Sequence, residues 1–495
     1  MNERALHVLP TASGLVLTAT LILPTALGNP EWELVRTYTP TGLTDNDARV
    51  GEDFAVNDEL LVAGARTANN DIGAALVFDR RTGALVRTLT PSDGGLFDEF
   101  GISVALHGGL IAIGARSHDL PGAQAGAVYV FDATSLTQLR KLSPVPSSGQ
   151  FGGSVAFASE DELIAGAEAD WSSGQPQGSA YIINPMTGSL LGLLFGDLGV
   201  REFGAAVAVS ADDYLVGATN SSGSSGGRVY VYDRTTLARQ HTLSGNSPFS
   251  DAGFGGTLAV SGNLVAVGED GGSPAAVHIF DIDTGVLLNT ITETPPQDFS
   301  KLALAFDAGR LFVGGPFTRV LGDSMGSVWI FDPLNGAELG ELRPTTLRAN
   351  DEYGAAIATR NGQIYISGTG IDGTFANEGR IFRFEPYSRL EVDPDPLVAL
   401  QDGTFNMVAA KPNERTWMLY SLAGLSSNAV SLRRLNVFVS LEMPQIGWGP
   451  LRTDDEGNLS VTVRVGATPE PIDIWFQIVQ NEFVSNWVAT QIVPD

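Results

Sequence analysis

The chain has 495 residues, 43% of them hydrophobic, with 58 glycines, 26 prolines and no cysteine. That length makes two domains the expectation, and the composition suits a turn-rich globular β protein better than a disordered one. A formal net charge of -27 repels nucleic acid and anionic lipid, so neither is expected as a partner.

Residues 1–28 read as a signal peptide. Arg4 gives a weak positive start, Gly14 to Leu27 is nearly all apolar or small, and Ala26-Leu27-Gly28 suits a small-x-small cleavage site. The apolar run is short for a bilayer, so no membrane span is expected after cleavage; an uncleaved anchor is the alternative. Export without cysteines leaves no disulfides, and stability must come from packing and closure.

Beyond this leader the chain repeats itself. Between Asp98 and Leu142 lie four apolar segments, FGISVAL, LIAIGA, AVYVFD and LTQLRKL, bounded by Gly, Asp or Pro. Each is too short for a helix and reads as a strand. Aligned on Phe-Gly, the unit recurs seven times, at Phe54, Phe100, Phe151, Phe203, Phe254, Phe299 and Tyr353. The spacing runs from 45 residues (299 minus 254) to 54 (353 minus 299). Gly follows the aromatic at Gly101, Gly152, Gly204, Gly255 and Gly354, and the second segment ends as Gly64-Ala65, Gly114-Ala115, Gly166-Ala167 and Gly217-Ala218. The third segment recurs as ALVFD, VYVFD, AYIIN, VYVYD, VHIFD, VWIFD and IFRFE. Thr82-Gly83, Thr187-Gly188, Thr284-Gly285 and Asn335-Gly336 predict tight turns from third to fourth strand. Four short strands at this period predict propeller blades, with small residues near the axis and aromatics filling the space between blades.

The seventh unit lacks a fourth segment, since FRFE (Phe382 to Glu385) runs straight into Pro386. ELVRTYTP (Glu33 to Pro40) matches ALVRTLTP (Ala84 to Pro91), so the N-terminal strand is expected to complete the last blade and remove the sheet edges. The expected fold is all-β: a seven-bladed β-propeller over 29–387, a linker over 388–396, and a small antiparallel β-sandwich over 397–495. The sandwich rests on alternating segments such as RTWMLYSL and DIWFQIVQ, with Trp417, Trp448, Trp475 and Trp487 as core.

The units F-G-x-S-V-A, L-x-A-I-G-A and G-A-V-Y-V-F-D resemble FG-GAP repeats, the blades of the integrin α-subunit head and of many secreted bacterial proteins. The resemblance covers about Glu33 to Glu385. It implies a non-enzymatic binding or adhesion module, secreted, periplasmic or on the cell surface, whose partners are extracellular proteins or polysaccharides. Calcium-binding members carry D-x-[DN]-x-D-G-x-x-D between the first two strands. Here those connections are LHGG, ASEDE, SADDY, SGN and RNGQ, too short to wrap the ion. No metal or other cofactor is therefore expected, and calcium titration is the check.

Contacts are expected in the variable loops between second and third strands, which supply His118, Asp119, Asp170, Trp171, Phe317 and Phe375. An acid precedes the aromatic at Asp53, Glu99, Glu202, Asp298 and Glu352. Sevenfold geometry would set these in a ring, either as a cation-attracting mouth or as solvated turn residues. The histidines show no H-x-x-x-H or H-E-x-x-H spacing, and no phosphate loop occurs, so no catalytic residue is named. The alternatives are a propeller enzyme (a quinoprotein-like dehydrogenase, or a polysaccharide hydrolase or lyase) and a structural envelope spacer. V-Y-V-F-D-x-x-T-G-x-L favours the quinoprotein; the unlike positions of Trp171 and Trp329 oppose it.

Overall fold

A computed structural model describes residues 32–43, 47–120, 123–143, 149–170, 177–219, 226–245, 253–271, 274–292, 301–320 and 323–386, and ten strands between 389 and 493. The leader read at 1–28 lies outside the described residues. The chain forms two compact units: Leu34–Phe384, and Met1–Glu33 with Glu385–Asp495.

The first unit is a propeller of seven four-stranded antiparallel sheets. Blade two shows the plan, with strands Phe100–His107, Leu110–Ala115, Ala127–Asp132 and Gln138–Leu142 in spatial order. The first strands of successive blades touch one another in a closed cycle, the seventh meeting the first, and so line the axis. The seventh sheet runs Trp32–Tyr38, Arg380–Pro386, Gln363–Gly368, Tyr353–Arg360, so the start of the chain supplies its outermost strand. Tyr38 fastens that strand: it is buried, its ring lies 5.8 Å from Phe78, and its hydroxyl donates to the Arg80 carbonyl at 2.5 Å.

From blade seven through blade one to blade six, each blade packs on the next through an apolar cluster. Phe100 is fully buried between Val62, Ala75 and Val77 of blade one and Tyr129 and Phe131 of its own blade. Its ring meets that of Tyr129 edge-on at 5.4 Å, and Phe151–Tyr181 and Phe203–Tyr230 repeat the pair at 5.5 and 5.4 Å. The glycines answer to backbone contact between blades rather than to crowding at the axis. A Cβ on Gly64 would fall 1.9 Å from the Gly101 carbonyl oxygen, so only glycine lets blade one and blade two close.

The backbone corrects the register of two repeats. At each junction a left-handed residue precedes the buried side chain: Glu99, Gln150, Glu202 and Glu352 have φ between 51 and 58°. In blade one that residue is Arg49, at φ 49°, followed by Val50 and Gly51 at φ 94°. In blade six it is Lys301, followed by Leu302. The equivalents of Phe-Gly are therefore Val50-Gly51 and Leu302-Ala303, not Phe54 and Phe299; Phe54 is core a few residues further on, and Phe299 lies outside the described residues. The first spacing becomes 50 (100 minus 50) and the fifth 48 (302 minus 254), a more regular period.

The aspartate that ends the third strand in five blades, with Asn184 in its place in blade three, has a turn to hold. Asp79 Oδ1 accepts from the Thr82 N–H at 2.6 Å, and Asp233 and Asp281 do the same for Thr236 and Thr284. Second-unit strands Arg389–Asp393, Asp402–Val408 and Leu459–Arg464 form one sheet. Arg389–Asp393 falls where the sequence suggests a linker, and instead pairs with Asp402–Val408. A five-stranded sheet and a two-stranded one complete the described strands.

Candidate functional site

Antiparallel order puts the start of each first strand, the second-to-third loop and the blade-to-blade connection on one face. The hairpins joining first to second and third to fourth strands lie on the other. Of the six loop residues picked from sequence, His118 and Asp170 are corrected: they are 5% and 1% exposed. In both loops a tight turn, His118 N–H to the Ala115 carbonyl and Asp170 N–H to the Ala167 carbonyl, tucks the third residue after the strand inward. Asp170 there accepts from the Tyr181 hydroxyl at 2.6 Å. Asp119 begins a two-residue ladder with Gln124, Phe317 and Phe375 are half-buried, and Trp171 lies outside the described residues.

The acidic positions do not form a ring of free carboxylates. Glu99 takes Arg66 at 2.9 Å and Arg116 at 2.7 Å, and Arg116 reaches Glu168 at 3.7 Å. Arg49 pairs with Glu352, Glu52 pairs with Arg66, and Lys301 Nζ lies 3.7 Å from Glu52. Glu202 accepts from Thr219. Burial would raise the Glu99 carboxyl, but Arg116 and Arg66 outweigh it and hold it below its ordinary value. Burial pushes Glu168 up, aided by the neighbouring charges of Glu202 and Glu99 and opposed by Arg116. Asp53 belongs elsewhere, inside the interface of blades one and two, where it accepts from the Val104 N–H at 2.6 Å. Asp298 lies outside the described residues. Among the described residues no group of three or more His, Cys, Asp or Glu is placed to hold a metal ion.

Beside this paired rim stands a feature the sequence reading passed over. In the connection from blade one to blade two, Leu96 and Phe97 are 61% and 64% exposed. Phe97 has φ 68°, a left-handed conformation that strongly disfavours a bulky side chain. The equivalent residues of blades one and seven, Asp47 and Asn350, share it at φ 66°, and both are types that tolerate it. Asp98 braces the turn by accepting from the Gly95 N–H at 2.7 Å, as Asp351 does for Arg348 at 2.6 Å.

His118 works from behind. Its Nδ1 lies 2.7 Å from Asp98 Oδ2, and Lys141 Nζ lies 2.6 Å from its Nε2. An ammonium only donates, so Nε2 accepts and Nδ1–H donates to Asp98. Lys141 also donates to Asp93 at 2.7 Å, and the Tyr129 hydroxyl donates to Asp93 at 2.8 Å. Asp93 and Asp98 thus pin both ends of the loop that carries Leu96 and Phe97. The signal was an apolar pair, Leu-Phe, in a polar turn where blade seven has Ala349-Asn350.

A family model described as FG-GAP repeat matches residues 84–131, from the outer strand of blade one through the third strand of blade two. Among solved structures the chain is similar to "Crystal structure of RRP9 WD40 repeats". The identity is 13% and the TM-score 0.49, covering 74% of this chain and 100% of that one. No curated protein matches.

Proposed function

Taking as premise that this chain is a seven-bladed propeller of FG-GAP repeats, we propose that it is an extracellular, non-enzymatic binding or adhesion protein. Its contact is the braced Leu96-Phe97 knuckle on the loop face, engaging a protein or glycan partner. One observation carries the reading: Phe97 keeps an exposed aromatic ring in a left-handed backbone where sister blades keep Asp and Asn. Locally unfavourable choices held by a rigid surround gather where a surface is selected for contact. A rigid aromatic also contributes large contact area at small entropy cost. FG-GAP repeats are typical of extracellular proteins, and no helix among the described residues is long and apolar enough to cross a membrane.

The test is retention of extracellular proteins and glycans by the immobilised full chain and by Phe97→Asn, which gives blade two the residue of blade seven. Loss of the retained species from a variant that melts no lower than wild type supports the reading. Equal retention by both chains sinks it.

A further inference from the structure

Blade five breaks the pattern of its sisters at two facing positions. At the end of the second strand the other blades carry Ala65, Ala115, Ala167, Ala218, Gly315 and Gly368; blade five carries Glu269. At the third-strand position two pairs along, where blades two, three, four and six carry Tyr129, Tyr181, Tyr230 and Trp329, it carries His278. Both side chains are buried, at 3% and 1% exposure. Strand alternation turns them toward blade four, on the face where Val265, Val267 and Phe280 meet Val229 and Leu243. His278 Nε2 lies 2.5 Å from Glu269 Oε2, and its Nδ1 lies 3.1 Å from Thr290 Oγ1. Glu269 Oε1 takes no donor among the described residues. A carboxylate in place of a small residue carries a desolvation cost that apolar packing would not incur.

The exchange comes with open space. A cavity of about 140 Å³ between blades four and five is lined by Phe254 and Glu269 of blade five and by residues 226–228 and 244–245 of blade four. Arg228 and Ser244 border it with backbone. Their side chains lie on the opposite, Tyr230 face of blade four, where Arg228 pairs with Asp197 at 3.0 Å. A Cβ on Gly245 would fall 2.9 Å from Glu269 Oε2 and 2.8 Å from the Phe254 ring. Blades one, two and six have Pro91, Pro144 and Pro344 at that place in sequence, so the glycine is what leaves carboxylate and ring uncovered. The cavity opens on the loop face, at the ends of the second and fourth strands.

We propose that this cavity receives the side-chain ammonium of a lysine from a protein partner. Its charged wall is a single carboxylate, and no lysine or arginine among the described residues pairs with that group. An ammonium donates to the open oxygen in a charge-assisted bond, which a neutral ligand does not form and an anionic one opposes. The Phe254 ring beside the carboxylate packs on the methylene stem or takes the cation over its face. His278, bonded through both ring nitrogens, holds the carboxylate at the wall. The volume suits the tip of one extended side chain. A net charge of -27 draws a basic partner from a distance. This inference rests on the reading of the loop face as a binding face and names a partner chemistry for it, at a separate site.

Saturation-transfer NMR on the full chain tests it, with Nα-acetyl-lysine methylamide and its uncharged counterpart Nα-acetyl-norleucine methylamide. The lysine derivative should show saturable transfer and the norleucine derivative none. Glu269→Gln should weaken binding about tenfold, the loss of one charge-assisted bond. The double variant Glu269→Ala with His278→Tyr restores the pair of blades two, three and four; it should melt no lower than wild type and show no transfer. No transfer between the lysine derivative and wild type overturns the proposal. So does transfer that survives in the double variant, or that the norleucine derivative matches. Saturable binding of glucosamine in place of the lysine derivative would give the site to an amino sugar and overturn the lysine assignment. No macromolecular partner enters the measurement, so its failure leaves the Phe97 reading standing, and failure of that reading leaves this result to stand by itself.

Discussion

A phenylalanine at φ 68° is an expense the fold does not require, because Asp47 and Asn350 make the same turn. Phe97→Asn should therefore raise the unfolding free energy by about 1 kcal/mol, measured by urea denaturation. Asp53 tests burial in another way. Its carboxyl is pushed up from 3.8 to about 6 by desolvation, against the N–H groups of Val104 and Phe54. Between those values the folded protein holds a proton that the unfolded chain has released, so stability falls as pH rises through the window. Asp53→Asn keeps an acceptor for Val104 and loses the charge. Its melting temperature should vary less than wild type between about pH 4 and pH 6, with the gain largest near neutrality. Residue types were legible in the sequence and their burial was not. His118 and Asp170 look like loop contacts because a three-residue inward tuck leaves no mark in composition.

At the scale of strands, the repeat was readable because each motif answers a local need. Asp near the end of the third strand holds a turn, and Gly next to last in the second lets two backbones meet. That pairing predicts unequal costs for one chemical change. A Cβ on Gly217 would fall 1.9 Å from the Gly255 carbonyl oxygen, whereas on Gly268 it would meet side chains alone, Leu302 at 3.1 Å and the Thr257 Cβ at 3.3 Å. Gly217→Ala should cost about 3 kcal/mol or more and Gly268→Ala less than about 1 kcal/mol, compared by thermal unfolding. The register of blades one and six is hidden in the sequence for a related reason. The junction is defined by a left-handed residue before a buried side chain, which Arg49-Val50 and Lys301-Leu302 supply without an aromatic to mark it.

For the whole molecule, closure was visible as a missing segment at one end and a matching one at the other. Trp32–Tyr38 stands beside Arg380–Pro386 in the seventh sheet, and Tyr38 lies between Phe78 of blade one and Tyr365 of blade seven. Tyr38→Ala should destabilise the propeller by about 3 kcal/mol in a single cooperative transition; an unchanged transition would remove the closing role from this strand. The ring also gives the molecule two unlike faces. One carries turns repeated from blade to blade; the other carries the paired rim, the Leu96-Phe97 knuckle and the cavity beside Glu269. Leu334, in the third-to-fourth turn of blade six, is as exposed as Leu96, both at 61%, but sits on the repeated face. The most direct measurement is therefore side-by-side retention of extracellular partners by wild type, Phe97→Asn and Leu334→Asn. Retention lost only in Phe97→Asn is the predicted result; equal retention by all three, or loss only in Leu334→Asn, would contradict it.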